Sequence, residues 1–494
     1  MSGERRDVEP EPAVDVVGVE VTSHLDAPTR AVLADPGWRR LHPVTPVLRA
    51  WKTVAAVLAV LVSQGVDNVV RSHLPGWILT LGVLGGILLL AIVGAGFSAL
   101  SWRRTRYRID AEAVHVEHGI LWRRQRRAQL DRLQAVDVVR PLLGRLFGLA
   151  ELRLEVAGGA GSKVSLAYLR EEEAQRVRNA LLAAAAGVRV EVGEEAPEAP
   201  ERGVVQVPPL RLVAATLLSG LAVSAVLVLV ALLVGSWVAG SFAPLLGTLP
   251  AVLGLGSALW QRFNRGFNFT VAESPDGLRF THGLLEQRSQ TVPPGRVQAL
   301  RIVQPLLWRR AGWWRVEVNV AGYAAETGSD QGQSTTVLPV GTVAELALVL
   351  AIVLPDLGTP EESPFDVVQA GLSGKDDAGG FTCVPRRARW LDPIAWRRHG
   401  FRITEHAFLA RSGRLVRMLD VVPHARTQSL GVAQGPWQRR LGLVSVVLHS
   451  TPGSVKPRVD HLEAAVAARL LTEQTLRART ARAGAGPERW MATE

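Results

Sequence analysis

The sequence predicts a mixed fold in which α-helical membrane hairpins alternate with three β-rich domains. Three observations lead to this fold class. The chain has 494 residues, enough for about three domains, and its 50 residues between Arg211 and Arg262 carry no charge. In addition, a pattern of about thirty residues is repeated three times along the chain, and internal repeats of this kind report repeated structural units.

The uncharged stretch is too long for one membrane span, because a bilayer core is crossed by about 20 apolar residues. It therefore predicts a second hairpin at 210–262, with spans at about 212–234 and 242–260. Gly240 and Pro244 lie between these two spans and favour a break in the helix.

An earlier apolar region predicts a first hairpin at 50–102, with spans at about 51–70 and 77–100. The first of these spans is interrupted by Gln64 and Asp67, whereas the second is continuous. Arginines flank the region on both sides, which supports a hairpin over a buried soluble helix.

Positive charge marks the predicted orientation. Basic residues flank both hairpins, whereas the connecting loops carry Arg71 alone, so the positive-inside rule places both termini and all soluble domains in the cytoplasm. The first 37 residues are acidic and contain proline, which predicts a disordered tail and no signal peptide. The expected location is a bacterial plasma membrane, crossed several times.

The repeated units align without a gap when they are anchored on Gly119, Gly283 and Gly413. The other shared residues are Arg132, Gln134, Arg145 and Gly148 in the first unit, Arg296, Gln298, Arg309 and Gly312 in the second, and Arg426, Gln428, Arg439 and Gly442 in the third. Their recurrence in one register favours a structural role over a single ligand site. We expect the arginines at 145, 309 and 439 each to hold a turn inside their own unit.

Within each unit the apolar residues alternate, as Leu152, Leu154 and Val156 do, which predicts half-buried antiparallel strands. Each unit then ends in a helical pattern, such as 171–186. In the second unit this pattern is the short apolar stretch AELALVLAIVLP, which predicts a buried capping helix. Each unit thus has about seven strands and one helix.

The stretch YRIDAEAVHVEHGILWRRQRRAQLDRLQAVDVVRPLLGRLFGLAELRLEVAGG and its two counterparts resemble the bacterial pleckstrin-homology-like (PH-like) domain of type 2. The resemblance implies a bent antiparallel sheet closed by a C-terminal helix, with no catalytic residue and no cofactor. With the hairpins, the layout resembles multipass bacterial membrane proteins that carry several such domains. In the third unit GPWQRRLG replaces RPLLGRLFG and no hairpin precedes it.

These patterns predict domain boundaries. The PH-like domains are expected at 103–187, 263–356 and 390–480, joined by an acidic, proline-rich linker at 188–209 and a second linker at 357–384, with a tail at 481–494.

Catalytic and metal-binding motifs are missing from the sequence. Cys383 is the single cysteine, which excludes an internal disulfide and a cysteine-based metal cluster. No phosphate-binding glycine loop, zinc-binding HExxH or nucleophile elbow occurs. We therefore expect no enzyme activity, no metal site and no cofactor.

The net charge of +11 raises the question of nucleic acid. A membrane setting argues against that partner, because domains held at the cytoplasmic leaflet face anionic head groups instead. The candidate lipid-facing cluster consists of Arg123, Arg124, Arg126 and Arg127. The alternative is a solvated basic strand face.

Four tryptophans lie beside arginine pairs, where they could form interfacial contacts or fill the cores of small domains. We expect Trp314 in a core and leave open the positions of Trp308, Trp313 and Trp437.

Two functional classes follow. The first is a membrane scaffold whose PH-like domains bind anionic lipids or protein partners, among them another PH-domain membrane protein, in envelope or stress homeostasis. The second is a transporter-like or permeability-modulating protein regulated by those domains. The second class would show polar or broken helices at the membrane midplane, and the uncharged stretch offers few such features.

Overall fold

The structure of the chain is a computed structural model. It describes residues 38–40, 85–86, 88, 92–94, 96, 99–100, 102–109, 113–118, 124–129, 133–156, 163–186, 202–241, 243–274, 277–292, 295–320, 335–451 and 453–484. Within these residues the strands fall into three groups of seven, and a helix follows each group.

The first domain contains the strands that precede and follow the first predicted hairpin. They are β1 (Arg39–Arg40), β2 (Arg106–Ile109), β3 (Ala113–His118), β4 (Arg124–Gln129), β5 (Leu133–Pro141), β6 (Leu149–Val156) and β7 (Lys163–Arg170). A short helix α1 (Leu142–Leu146) connects β5 to β6, and α2 (Glu171–Ala186) closes the domain.

The second domain repeats this order around a helical insertion. Its strands are β8 (Arg202–Gln206), β9 (Thr270–Ser274), β10 (Gly277–His282), β11 (Glu286–Val292), β12 (Val297–Pro305), β13 (Trp314–Val320) and β14 (Thr335–Gly341). Its helices are α3 (Pro209–Leu217), α4 (Gly220–Ala239), α5 (Ala243–Gly266), α6 (Trp308–Ala311) and α7 (Val343–Val353).

The third domain has the same strand order without a long helical insertion. Its strands are β15 (Thr382–Cys383), β16 (Gly400–Ile403), β17 (Ala407–Ser412), β18 (Val416–Pro423), β19 (Ser429–Ala433), β20 (Leu443–His449) and β21 (Arg458–Glu463). Helix α8 (Pro364–Ser373) precedes them, α9 (Pro436–Arg440) connects β19 to β20, and α10 (Ala464–Gly484) follows. The prediction of about seven strands and a closing helix per unit is thus confirmed.

Each helical insertion lies inside a domain, between its first and second strands. Arg39 of β1 pairs with Tyr107 of β2, and Gly203 of β8 pairs with Ala272 of β9. The predicted boundaries at 103 and 263 are therefore wrong, because each domain begins with a strand before its hairpin. For the same reason the predicted linker 188–209 contains a strand at its end.

The second helical insertion differs from its predicted spans. Helix α3 packs into the domain through Leu212 and Ala215, which are buried, and it ends before the long apolar helix begins. Ser219 caps α4 by accepting a hydrogen bond from the backbone N–H of Ala222. The predicted span 212–234 is thus shifted to α4, since the charge-free sequence includes a short helix of the soluble domain.

Helix α4 is the one helix among the described residues that is long and apolar enough to cross a membrane. It has 20 residues with a mean hydropathy of 2.6, and only 11% of its apolar stretch is buried. Helix α5 packs antiparallel to it and contains Pro250. The described residues from 85 to 104 are also helical, whereas the rest of the first predicted hairpin and the tails 1–37 and 485–494 lie outside the described residues.

The segment 357–384 does not form the extended linker that its composition suggests. Ser363 caps α8, and Val367, Val368 and Leu372 on this helix are fully buried. These three side chains belong to the same apolar cluster as residues of β12, β13 and β18, so this segment is part of the core between the second and third domains. The prediction failed because an amphipathic helix of ten residues lies between glycine-rich and acidic flanks.

The closing helices occupy the positions that the sequence predicts. Ala174 and Leu181 of α2 are fully buried in the first core. Leu346, Val349 and Leu350 of α7 are buried in the second, which confirms the buried capping helix.

Strands of neighbouring domains join into shared sheets. One seven-stranded sheet has the order β7-β6-β5-β11-β10-β9-β8, and another has the order β14-β13-β12-β18-β17-β16-β15. The remaining sheets are β1-β2-β3-β4 and β19-β20-β21. Each domain therefore contributes four strands to one sheet and three to another, and the sheets run from one domain into the next.

Candidate functional site

The two junctions between domains have the same register. Pro141 of β5 pairs with Glu286 of β11, and Pro305 of β12 pairs with Val416 of β18. The offsets that align the repeated units are 164 from the first unit to the second and 130 from the second to the third, and they convert the first pair into the second. The repeated sequence thus specifies how one domain attaches to the next as well as the fold of each domain.

The repeated arginines act across these junctions. The Arg145 guanidinium donates to the carbonyl of Leu284 in the following domain, and that of Arg309 donates to the carbonyls of Arg414 and Leu415, the latter at 3.0 Å. The expectation that each arginine holds a turn inside its own unit is therefore wrong. The sequence showed that the residue recurs, but its acceptor lies more than 100 residues away.

The turns that receive these arginines depend on the anchoring glycines. Gly283 and Gly413 have positive φ angles of 114° and 72°, a region that favours glycine. A Cβ atom at Gly283 would lie 2.0 Å from the carbonyl oxygen of Glu286, and one at Gly413 would lie 1.9 Å from that of Val416. The prediction of a glycine-dependent tight turn is confirmed at both positions.

An ion pair crosses each junction. The acid lies on the strand of the preceding domain at the first junction and on the strand of the following domain at the second. Asp137 of β5 is fully buried and lies 3.1 Å from the Nη2 of Arg288 in β11. At the second junction the equivalent of Asp137 is Arg301, which forms two hydrogen bonds with Asp420 of β18. Partial burial strengthens such pairs, because fewer water molecules screen the charges.

Buried polar side chains add further contacts between domains. Arg178 of α2 is fully buried, and its Nη2 donates to Thr291 Oγ1 at 2.6 Å. At the second junction the Asn319 side chain donates to the carbonyl of Val455 at 2.7 Å and accepts from its N–H at 3.0 Å. The side-chain amide thus imitates one backbone pair of a sheet.

A basic cavity of about 220 Å³ opens at the second junction. The cationic residues that line it are Arg309, Lys375, Arg397, Arg398, Arg414 and Arg417, and Ile394 completes the wall. Among the residues described here, no carboxylate lines this cavity.

The charge in this cavity is only partly compensated, since Asp376 pairs with Arg397 while the other cations of the lining have no ion-pair partner among the described residues. Burial, followed by the proximity of Arg417, Arg411 and Arg309, lowers the pKa of Arg398 to about 10. The Nε atoms of Arg309 and Arg417 are buried with no acceptor among the described residues. Such an arrangement can accept an anion of the size of a phosphate group.

The predicted lipid-facing cluster falls on the outer strand of the first domain. Arg124, Arg126 and Arg127 lie on β4, where the side chain of Arg127 is exposed, and Arg123 lies outside the described residues. The placement of these arginines on β4 does not show whether they contact lipid, so the lipid-facing cluster stays a prediction.

The other repeat-defining residues are distributed between turns and strand ends. Gly119 and Arg132 lie outside the described residues, and Gln134 lies on β5. Gly148, Gly312 and Gly442 share φ angles of 62°, 64° and 62°. Within the second unit Gln298 donates to the carbonyl of Arg296 at 3.4 Å, whereas in the third Gln428 donates through its backbone to His449 at 2.9 Å, near Arg426.

Sequence reasoning missed the basic cavity and the ion pairs between domains. The cavity combines residues from 309 to 417, and no local pattern relates them. One feature of the sequence does indicate the ion pairs: Asp137 and Arg301 occupy equivalent positions of the repeat and carry opposite charges. No group of histidine, cysteine, aspartate and glutamate that could hold a metal ion occurs in the part of the chain that the structure describes.

Comparison with known proteins places these features in context. The chain matches the family model described as bacterial PH domain at residues 55–185, 208–352 and 367–478. It is also similar to the UPF0699 transmembrane protein YdbT of Bacillus subtilis (strain 168), with 25% identity over 353 residues, 64% of this chain and 69% of that protein. No solved structure matches the chain.

Proposed function

Since the chain belongs to the bacterial PH domain family, we propose that it is an integral membrane scaffold that presents three joined PH-like domains in the cytoplasm for binding protein partners. The similarity to a transmembrane protein of Bacillus subtilis supports a membrane location. The exposed apolar helix α4 supports it independently, since Val226, Leu227 and Leu233 would be costly to expose to water.

The observation that carries the proposal is the pair of shared sheets. Independent ligand-binding modules on flexible linkers would not need matching strand registers, buried ion pairs and a common apolar core. A joined array holds the surfaces of the three domains at fixed distances, as a scaffold requires.

Topology is the first test. Ser241 follows α4 and is exposed, and the proposal places it outside the cytoplasm. A Ser241→Cys variant should therefore react with a membrane-impermeant thiol reagent in intact cells, whereas the native Cys383 should react only after lysis. Labelling of Cys383 in intact cells would contradict the proposed orientation.

Partner binding is tested with a variant of the second junction. Arg309→Ala removes the hydrogen bonds that this side chain makes to the third domain, whereas Arg310→Ala removes an exposed neighbouring side chain that makes no hydrogen bond within the described residues. We expect proteins that co-purify stoichiometrically with the full chain from native membranes to be lost with Arg309→Ala and kept with Arg310→Ala. If no protein co-purifies with the unaltered chain, the protein-scaffold function is wrong.

A further inference from the structure

The third domain carries a short loop where the second domain carries helices α3 to α5 and the first domain has its predicted hairpin. In the second domain 207–269 connect the first strand to the second strand, whereas in the third domain this connection is 384–399. The loop contains two 3-10 turns, Arg386–Trp390 and Trp396–Arg398. By its place in the fold it is the counterpart of a membrane hairpin.

The common register of the junctions indicates where this loop points. Because both junctions pair equivalent residues, the third domain is related to the second as the second is to the first. Under the proposed function the hairpins of the first two domains enter the same membrane. The step from one domain to the next therefore keeps the same side of each domain facing that membrane. The loop 384–399 is then directed towards the membrane surface.

The composition of the loop suits that position. Trp390 is 73% exposed and Ile394 is 55% exposed. Arg386, Arg387 and Arg389 precede them in the sequence. Exposed tryptophan and isoleucine beside arginine are typical of segments that lie in the interface of a membrane with anionic lipids.

The basic cavity opens beside this loop. Ile394, Arg397 and Arg398 line the cavity and belong to the loop, while Arg309, Arg414 and Arg417 come from the second domain and from the turn and strand of the third. Arg398 forms the buried base, donating to the carbonyls of Gly413 at 2.9 Å and Gly371 at 3.2 Å. An anion entering here meets several guanidinium groups within one small volume.

We propose that this cavity binds the phosphate-bearing head group of an anionic membrane lipid, with Trp390 and Ile394 inserted into the adjacent interface. The inference rests on the proposed membrane location and adds a specific site to it. The lipid would attach the third domain to the membrane in place of a hairpin.

Lipid binding can be measured with soluble short-chain lipids on the purified full chain. Dioctanoyl-phosphatidylglycerol should bind, and dioctanoyl-phosphatidylcholine should not. Lys375→Gln with Arg414→Gln should weaken binding about 30-fold, since each cation near an anionic head group contributes about 1 kcal/mol. Arg469→Gln with Arg479→Gln on α10, both exposed, is the matched control and should leave binding unchanged.

Three results would overturn the proposal. These are equal binding of the two lipids, equal weakening by both double variants, and binding of glycerol phosphate as tight as that of phosphatidylglycerol. The last result would identify a site for a soluble anion. None of these results affects the thiol labelling of the Ser241→Cys variant, so the proposed topology and the proposed lipid site are tested separately.

The depth of the loop gives an independent measurement. In a Cys383→Ser background, spin labels at Trp390→Cys and at Arg469→Cys can be compared in nanodiscs that contain phosphatidylglycerol. We expect the label at 390 to be accessible to dissolved oxygen and shielded from a water-soluble nickel complex, and the label at 469 to show the reverse. Equal exposure of the two labels to the nickel complex would contradict membrane insertion.

A second inference comes from the two ends of the array. Among the described strands, β4 and β19 each have a neighbour on one side only. Strand β4 is equivalent to β11 and β18, and β19 is equivalent to β5 and β12. The chain therefore carries one unused copy of each type of edge that it pairs internally.

The third of the repeated junction arginines, Arg439, has no following domain to bind within the described residues. Arg145 and Arg309 reach the turn of the following domain. Arg439 is exposed, and its side chain makes no hydrogen bond within the described residues. Gly442 keeps the positive φ angle of its counterparts, so the local geometry is retained.

We infer that β19 of one copy of the chain pairs with β4 of a second copy, brings Arg439 to that junction, and so extends the array head to tail. The equivalent pairs Val139 with Arg288 and Val303 with Met418 place Ala433 opposite Arg124. Such a heterologous contact generates rings or filaments.

This contact should be weaker than the internal ones. The position of Asp137 and Arg301 is occupied by Gly431 in β19, so this contact lacks the ion pair that crosses each internal junction. We therefore expect association that depends on concentration, in contrast to the permanent junctions.

Cysteine cross-linking tests the register in a Cys383→Ser background. An Ala433→Cys copy mixed with an Arg124→Cys copy, both full length, should give a cross-linked dimer with a short bifunctional reagent. An Arg469→Cys copy replaces the first in the control mixture and should not. Adding Arg439→Ala should reduce the yield about tenfold, as expected for a charge-assisted hydrogen bond worth ~1.5 kcal/mol, whereas Arg440→Ala should not. A yield no higher than that of the control mixture, or cross-linking of position 433 to a different protein only, would overturn the inference.

Discussion

Arg301 and Asp420 bind each other through two hydrogen bonds across the boundary between the second and third domains. The Nε atom of Arg301 lies 2.6 Å from one carboxylate oxygen of Asp420, and Nη2 lies 2.7 Å from the other. Arg301 also donates to the carbonyl of Ser454 at 3.2 Å. A single arginine thus connects the second domain to β18 and to the connection between β20 and β21 of the third.

Removal of one partner from this pair should destabilise the protein strongly. Asp420 is 6% exposed, so Asp420→Ala leaves a partly buried arginine without its counter-charge, and we expect a loss of about 3–5 kcal/mol in the free energy of unfolding. Glu463→Ala breaks an exposed pair with Arg387 and should cost less than about 1 kcal/mol. Chemical unfolding of the full chain in detergent, followed by tryptophan fluorescence, measures both. Equal losses for the two variants would contradict a junction role.

Substitution of the turn glycines separates a backbone clash from conformational strain. Gly283→Ala places a methyl group against the Glu286 carbonyl in a positive-φ conformation. Gly312→Ala has positive φ and open space, and Gly203→Ala has open space without positive φ. We expect a small effect at 203, about 1–2 kcal/mol at 312, and a larger loss at 283. A thermal melt of each full-length variant gives the order, and a reversed order would disprove the assignment.

Trp308 should contribute far more to stability than Trp437. The first is 1% exposed, and its Nε1 donates to the carbonyl of Ala215 at 3.1 Å, which ties the second domain to α3. Trp437 is 66% exposed and lies over Arg440. Trp308→Ala should cost about 3–5 kcal/mol, and Trp437→Ala should stay within about 0.5 kcal/mol. Denaturant midpoints of the two variants check this, and similar midpoints would be inconsistent with a core role for Trp308.

Stability should fall in mildly acidic solution because of His282. Burial, with Arg288 nearby, lowers the pKa of His282 to about 4, while a backbone contact with the carbonyl of Arg265 opposes the shift. The unfolded chain takes up a proton near pH 6.5 and the folded chain only near pH 4, so the free energy of unfolding decreases as pH falls through this window. His282→Gln should remove this part of the decline, and exposed His449→Gln should not. A decline of unchanged slope in His282→Gln would refute the assignment.

The sequence was informative about each domain and silent about their connection. Alternation at Leu152 and Leu154, and the glycines 283 and 413, predicted strands and turns because these signals are local. The acceptor of Arg309 could not be predicted, since it lies about a hundred residues away and becomes a neighbour only when β12 pairs with β18.

Boundaries were the least predictable feature for a related reason. Strand β8 has five residues and obtains its pairing from β9, more than sixty residues later across the hairpin. A strand so short has too few residues to show a period. Likewise Trp308 and Trp437 have similar sequence surroundings, and only the fold buries the first and exposes the second.

The three domains form one array through paired edge strands, and amide hydrogen exchange tests this arrangement most directly. The full chain in detergent should be measured at a dilution at which it has the mass of a single copy. We expect amides of 286–289 in β11 and 416–421 in β18 to exchange as slowly as those of β10 and β17, while amides of β19 exchange faster because its outer edge is open. Exchange of β11 and β18 at the rate of β19 would show that the junction strands are unpaired, and would contradict the account.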